Sequence, residues 1–504
     1  MTTHLRRVAV AALLLVAACS NGTVRPADTT AVSSAPSTSA TSAVGVSTTS
    51  STLTLSSDAR FKDYTSCQDD RAKLPWVCIT LTVPLDRSDP KSATIPIRVW
   101  ALPHSDANTP EGLPLFLTPG GPGEEGLANY GLFFMQKPFH AHHDIIAIDP
   151  RGTGRSAAID CALQKGYTSL LLFYSLIVAC GQQLGPNADR YGAADRILDL
   201  EDVRVSLGYD KIFYHGASAA STDVIAYAAR FPQHLAAIFF DSGFVETGQD
   251  DAFGHFVAHG LLDVADGLCS DDPTCAADAT APHDAITWLI DSVRRSPITQ
   301  DGQTIDAARV AQLIDAAPVR TVQAARAAKT GDLQPLVALG TKFPMWVSGD
   351  NGPATGFSQG AMFATLCNDA WTPWNKTDPP SARRQKYDAA LAALPADYFA
   401  PWTVAEWTGY MPSDGCIGWP VPDRYEPVHP DGFKLTTVPT LILVGDRETD
   451  TQGARQLLDL FPEASFRIVH GAQHPALSAG DCAAAFEAQF LETLVAPTGN
   501  ACTS

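Results

Sequence analysis

From Cys78 onward, short runs of β-branched and aromatic residues alternate with stretches whose apolar positions recur every three or four residues. The strand candidates are Ile79–Val83, Ile95–Ala101, Leu113–Thr118, Asp144–Asp149, Lys211–His215 and Ala236–Asp241. Several are continuously apolar, as expected of strands covered by helices on both faces. Between two of them Ile197, Leu200, Val203 and Leu207 recur at helical spacing. Strands alternating with helices predict a doubly wound, mostly parallel α/β sheet. After residue 245 the alternation stops. From 246 to 434 the chain reads as successive helices and loops rich in Ala, Asp, Trp and Pro, with helices expected over 306–316, 321–330 and 359–368. Strand character returns at Thr440–Gly445 and Ser465–His470, with a helix expected over 453–461. The helical stretch 246–434 is therefore expected to be an inserted cap over the strand ends. It interrupts one sheet domain, whose two parts are 57–245 and 435–504. There is no internal repeat and no transmembrane segment.

The N-terminus has a different pattern. Arg6 and Arg7 precede an apolar run from Val8 to Ala18, the build of a secretory signal peptide, and too short to span a bilayer stably. The run ends in Val16-Ala17-Ala18-Cys19, which resembles the lipobox of bacterial lipoproteins. That resemblance implies cleavage before Cys19 and a lipid on its thiol; the alternative is an ordinary signal peptide with an incidental cysteine. Residues 19–56 are rich in Ser, Thr, Ala and Pro and poor in large apolar side chains, so they cannot build a core. They are expected to form a disordered tether reaching on the order of 35 Å.

Composition narrows the picture further. Of the 504 residues 45% are hydrophobic and 18% charged, an ordinary globular balance with room for a catalytic core and an insertion. A net charge of −19 argues against nucleic acid and against a basic surface for anionic lipid. Of the 11 cysteines, Cys19 goes to the lipid and an even ten remain. These fall in close pairs along the chain: Cys67/Cys78, Cys161/Cys180, Cys269/Cys275, Cys367/Cys416 and Cys482/Cys502. No C-x-x-C with metal-ligand spacing occurs, so disulfides in an oxidising compartment account for them better than zinc does. The individual pairings are inferred from proximity, since ten cysteines allow many connectivities.

The chemistry concentrates at strand ends. In Lys211-Ile-Phe-Tyr-His215-Gly216-Ala217-Ser218-Ala219-Ala220 an apolar strand runs into a small-residue turn and then an Ala-rich helix over 222–231. This is the setting of a nucleophile elbow, although G-x-S-x-G would put glycine where Ala220 stands. Upstream, Thr118-Pro119-Gly120-Gly121-Pro122-Gly123 follows another strand, and its backbone can present N–H groups with no side chain in the way. The segment Asp149-Pro-Arg151-Gly-Thr-Gly154-Arg155-Ser156 ends a third strand and lacks the order of a dinucleotide-binding turn.

With these motifs the chain resembles the tripeptidyl aminopeptidase and proline iminopeptidase branch of the α/β-hydrolases. Pro119–Gly123 is similar to that branch's His-Gly-Gly-Pro-Gly loop with proline in place of histidine, and Asp149–Ser156 to its Asp-x-Arg-Gly-x-Gly-x-Ser turn. Gly216–Pro232 resembles its elbow and following helix, with Ala219-Ala220 for the usual Tyr-Gly. The likeness covers roughly Asp63–Phe244 and Val438–Cys502, together with Cys367-Asn368-Asp369.

The resemblance implies an α/β-hydrolase fold and a triad in the order Ser, acid, His. Ser218 is the expected nucleophile and His474, in Gly471-Ala472-Gln473-His474 after a strand, the expected base; His470 reads as structural. Counting three residues past the strand-ending Gly445 gives Glu448 as the acid, with Asp446 and Asp450 as alternates. The oxyanion would be met by the N–H groups of Ala219 and Gly121, with Gly120 as alternate. No cofactor or metal is required. The expected function is an exported exopeptidase acting at peptide N-termini. The alternatives are an esterase with the same triad and a catalytically silent binding protein of the envelope. An exopeptidase must hold a free α-ammonium, for which Asp369, Glu246 and Asp241 are candidates, each equally readable as a structural carboxylate. The expected partners are a peptide or small ester substrate and, through the lipid alone, the cell membrane. The chain is expected to be a monomer that binds no nucleic acid.

Overall fold

The computed structural model describes residues 60–498 except 68–74, 107–110, 128–136, 167–169, 246–247, 301–302, 344–351 and 412. The expected signal peptide, Cys19 and the tether lie outside the described residues.

A nine-stranded sheet organises the fold, formed by β1 (Thr65–Ser66), β2 (Val77–Pro84), β3 (Thr94–Leu102), β4 (Leu115–Thr118), β5 (Ile145–Ile148), β6 (Ile212–Ala217), β7 (Leu235–Asp241), β10 (Thr440–Gly445) and β11 (Ser465–Val469). Their order is β1-β2-β3-β5-β4-β6-β7-β10-β11. The first three are antiparallel, and every pair from β5 through β11 is parallel. Burial follows the apolar pattern. β4, β5, β6 and β10 are buried at every residue, whereas β2 alternates because it lies near the sheet edge. The strand period of two sends Phe116 and Ile146 to the core on one face, and Leu115, Leu117, Ile145 and Ala147 to the core on the other.

Strand order reverses at β4, which sits between β5 and β6. In an open parallel sheet that switch point leaves a crevice at the carboxyl ends of the strands. Here Thr118 pairs with Gly216, so the loop after β4 and the turn after β6 emerge side by side.

On the sheet faces lie α1 (Leu170–Leu184), α2 (Ala193–Ser206), α3 (Ser221–Arg230) and the terminal helix α12 (Asp481–Thr493). Between β7 and β10 come α4 (His255–Asp271), α5 (Pro282–Arg295), α6 (Ala307–Ala316), α7 (Pro318–Lys329), α8 (Gln334–Lys342), α9 (Gln359–Asp369), α10 (Pro380–Ala392) and α11 (Val404–Tyr410). The pattern of this stretch hid one feature, a hairpin of β8 (Ile298–Gln300) and β9 (Gln303–Ile305). Asp301-Gly302, placed symmetrically between Ile298-Thr299-Gln300 and Gln303-Thr304-Ile305, was its available signal, since Asp-Gly suits the tight turns of two-residue hairpins.

Residues 246–434 are not one packing unit. Leu261, Leu289, Leu313, Trp402, Trp407 and neighbours form a separate helical core. Ala361, Phe363, Ala364 and Cys367 of α9, with Trp419, Val428 and Leu435, instead join the core of the sheet. Disulfides Cys67–Cys78, Cys161–Cys180, Cys269–Cys275 and Cys367–Cys416 are present, with Cα separations of 5.1–5.5 Å. Cys482 is also disulfide-bonded; Cys502, the partner expected from the sequence, lies outside the described residues. Among the described residues no helix is long and apolar enough to cross a membrane.

Candidate active site

β6 delivers Ser218 to the crevice. Ala217 is still extended, but Ser218 has φ 53°, and a short 3₁₀ turn then leads into α3. A left-handed serine costs on the order of 1–3 kcal/mol and persists where its surroundings over-determine it. Here the Ser221 Oγ donates to the Ser218 carbonyl at 2.7 Å. A Cβ on Gly216 would stand 2.4 Å from Val224, so strand and helix can approach this closely only with glycine there. Ala220, where the elbow pattern has glycine, is buried.

Two loops at the far end of the sheet meet this serine. His474 Nε2 lies 2.8 Å from Ser218 Oγ, and His474 Nδ1 lies 2.7 Å from Glu448 Oε2. The second Glu448 oxygen accepts from the Gly445 N–H at 2.5 Å and from Ser242 Oγ at 2.9 Å. The Glu448 side chain is 3% exposed and that of His474 43%, so the acid is sealed while the base faces the crevice. The surrounding protein opposes protonation of His474, but the hydrogen bond and charge of Glu448, with the charges of Asp241 and Asp450, hold its pKa above the ordinary histidine value.

The alternate acids stand elsewhere. Asp446 accepts from the Gly471 N–H at 2.7 Å and pairs with His470 Nδ1 at 3.0 Å and with Arg447. Asp450 Oδ1 is buried without a hydrogen bond; burial, then the charge of Glu448, pushes this carboxyl up to about 7. Ser242, which sequence reasoning passed over, is central. Its φ is 51°, and its hydroxyl donates to Glu448 while accepting from the Ala476 N–H at 2.8 Å, joining the acid loop to the histidine loop. Only its place in Asp241-Ser242-Gly243 at a strand end hinted at this.

The expected oxyanion donors flank Ser218 but are occupied. The Ala219 N–H donates to the Gly120 carbonyl at 3.0 Å, and the Gly121 N–H to Glu124 Oε2 at 3.1 Å. Glu124 had no part in the sequence-based site.

The amine candidates require correction. Asp369 is spent on the fold, accepting from the Ala193 N–H at the start of α2 at 2.9 Å and pairing with Arg196 at 3.0 Å. It lines a cleft with Asp195, Arg424, Trp374 and Trp419 that neither Ser218 nor His474 lines. Asp241 is fully buried below the histidine loop and accepts from the Leu477 N–H at 3.1 Å. Burial raises its pKa to about 7, with Glu487 and Glu448 adding to the rise and His215 and the Leu477 N–H opposing it. Asp241 is sealed from a water-borne ammonium, and the Asp369 carboxylate is already engaged by Ala193 and Arg196. Glu246 lies outside the described residues. A metal has no better claim on the one three-ligand group found among the described residues, His104, Glu111 and Asp144, because Arg60 already pairs with both acids.

Residues 114–274 match the profile of a family described as "alpha/beta hydrolase fold", and residues 403–502 that of "TAP-like protein". Serine protease Hip1 of Mycobacterium tuberculosis is 28% identical over 246 residues, and the tripeptidyl aminopeptidase of Streptomyces coelicolor 25% identical over 204 residues. The chain has the α/β-hydrolase fold and is similar to peptidases of that fold. The match to Hip1 covers 44% of this chain and 46% of the relative; that to the aminopeptidase covers 36% and 37%. The chain thus spans under half the length of either relative. Among solved structures, proline iminopeptidase of Mycobacterium smegmatis is similar at 14% identity and a TM-score of 0.38, covering 82% of this chain and 98% of that one. Disulfides of this kind belong to an oxidising compartment and point to an extracytoplasmic protein.

Proposed function

We propose that the protein is an exported serine exopeptidase of the aminopeptidase type, anchored to the cell membrane by a lipid on Cys19 and acting as a monomer on peptides. The observation that carries the catalytic part is the continuous chain from Ser218 through His474 to Glu448 on a strained elbow. In that arrangement His474 Nε2 takes the Ser218 proton as Oγ attacks the scissile carbonyl. Glu448 accepts from Nδ1–H, which fixes the tautomer and stabilises the imidazolium. His474 then returns the proton to the leaving amine. Water, deprotonated by the same nitrogen, cleaves the acyl-enzyme and frees Ser218. No step calls for a cofactor or metal.

The choice of peptides as substrates is supported by the similarity to a serine protease and a tripeptidyl aminopeptidase. The engagement of Asp369 by Ala193 and Arg196 and the full burial of Asp241 favour a second reading, an esterase with the same triad, because neither offers an open carboxylate to a substrate amine. A fluorophosphonate probe tests the nucleophile. It should label wild type and not Ser218→Ala, whose turnover should fall on the order of 10⁶-fold. Equal labelling of both would sink the mechanism, and an unlabelled wild type would favour a silent binding protein. Free-amino peptide anilides, their N-acetylated forms and p-nitrophenyl esters then separate peptidase from esterase. For the anchor, the mature protein should partition into detergent and Cys19→Ala should leave it in the aqueous phase with unchanged turnover; a Cys19→Ala protein that stays with the membrane would refute it.

A further inference from the structure

An oxyanion needs N–H groups aimed at empty space beside the nucleophile. Beside Ser218 both expected donors already have acceptors. The Ala219 N–H is taken by the Gly120 carbonyl and the Gly121 N–H by the Glu124 carboxylate. These two contacts share one feature, the single peptide plane between Gly120 and Gly121, which supplies the carbonyl to the first and the N–H to the second. Turning that plane about its long axis would release both donors together.

The local sequence suits such a turn. A peptide plane rotates when ψ of one residue and φ of the next change in opposite senses, leaving the flanking chain in place. Glycine on both sides admits conformations closed to other residues. The present fit is also too tight for anything else. A Cβ on Gly120 would lie 2.6 Å from the Ala217 carbonyl oxygen, and one on Gly121 2.7 Å from the Glu124 carboxyl carbon. Prolines at 119 and 122 lock φ on either side, confining the freedom to the plane between. Beyond them the loop is pinned, since the Gly123 carbonyl accepts from the Ser358 N–H at 2.8 Å and Glu124 bridges to Phe357. Glu124 therefore stays in place while the glycine peptide moves.

We propose that Glu124 is a positioning residue of the oxyanion loop, holding the Gly120–Gly121 peptide in a resting orientation that must turn over for the tetrahedral intermediate to be stabilised. This rests on Ser218 acting as the nucleophile. Glu124 is half-buried: burial pushes its carboxyl above the ordinary value, the Gly121 N–H opposes the rise, and the charge of Glu125 adds to it. The contact to Gly121 holds the glycine peptide in its resting orientation, and breaking it slows every turnover.

Two side-chain changes and one structure test this. Glu124→Ala removes the acceptor and should raise kcat and the rate of phosphonylation by about tenfold with KM unchanged, equivalent to one such bond of roughly 1.4 kcal/mol. Glu124→Gln keeps an acceptor and should stay near wild type. A fall or no change in kcat for a folded Glu124→Ala protein would overturn the proposal. The crystal structure of the phosphonate adduct of wild type gives an answer even if Glu124→Ala does not fold. The phosphoryl oxygen should accept from both Ala219 and Gly121. An adduct in which the Gly120 carbonyl still accepts from Ala219 would refute the turn while leaving the nucleophile intact. If no adduct forms on Ser218, the serine-hydrolase reading fails instead.

Discussion

Glu448, the proposed acid, is longer than the aspartate of many triads, and its neighbours make the longer side chain workable. It stands three residues beyond Gly445, and the Gly445 N–H and Ser242 hydroxyl clamp one carboxylate oxygen so that the other meets His474. The charge so placed raises the His474 pKa against the opposing effect of the surrounding protein. Only neutral His474 can accept the serine proton, so activity should fall as pH drops through that raised pKa. Glu448→Gln keeps the shape and removes the charge. Its kcat should fall by about 10³–10⁴-fold, as for a comparable acid-to-amide change in another triad. The acidic limb of its residual activity should move to lower pH, because the imidazole then stays neutral further down. A pH–rate profile of the variant with an unmoved limb, or one displaced upward, would show that another group sets the base.

At the scale of elements, the site is held from outside the sheet by α4. Arg447 pairs with Asp271 at the end of that helix at 2.9 Å, and α4 approaches the acid loop through glycines. A Cβ on Gly260 would come within 1.8 Å of the Thr449 carbonyl oxygen, a backbone atom one residue from Glu448. Glycine in a helix interior costs about 1 kcal/mol relative to alanine, so alanine would be favoured at 260 were the space open. Gly260→Ala should instead destabilise the fold by about 1–3 kcal/mol, as overpacking does, and lower kcat by displacing Glu448. Gly409 in α11 is the control. A Cβ there meets nothing closer than Ala308 at 3.4 Å, so Gly409→Ala should be neutral or stabilising. Thermal unfolding of the two variants should give opposite signs; a stable, fully active Gly260→Ala would mean that α4 does not position the acid.

Over the whole molecule, two hydrophobic cores share one chain, and the Cys367–Cys416 bridge lies where they meet. Cys367 belongs to the core of the sheet, and Cys416 packs against both cores. This bridge spans 49 residues, whereas Cys269–Cys275 spans 6 within the helical region. On chain-entropy grounds the long loop should contribute about 4 kcal/mol and the short one about 2. Replacing Cys367 and Cys416 by alanine should therefore lower the midpoint of denaturant unfolding more than replacing Cys269 and Cys275. Equal effects would indicate that the two cores hold together without the covalent link.

What could be read along the chain was local. Strand and helix follow from apolar spacing, an elbow from small residues between a strand and a helix, and four disulfides from cysteines near one another in sequence. The order of Ser218, an acid and His474 also lies in the sequence, and counting from Gly445 leads to the carboxylate that meets His474 Nδ1. Whether a polar group is free is a different kind of fact, because its partner can stand anywhere in the chain. Asp369 is consumed by Ala193, 176 residues away, and Glu448 is oriented by Ser242, 206 residues away. Neither pairing has a local signature. Nor has the division of residues 246–434 between two cores, which depends on the surface each helix meets rather than on its own periodicity. The occupied N–H groups of Ala219 and Gly121 belong with these. The glycines that permit an oxyanion hole are written in the sequence, and only the folded chain, by bringing Gly120 against Ala219 beside an anchored Glu124, decides that in this state the donors are already bonded.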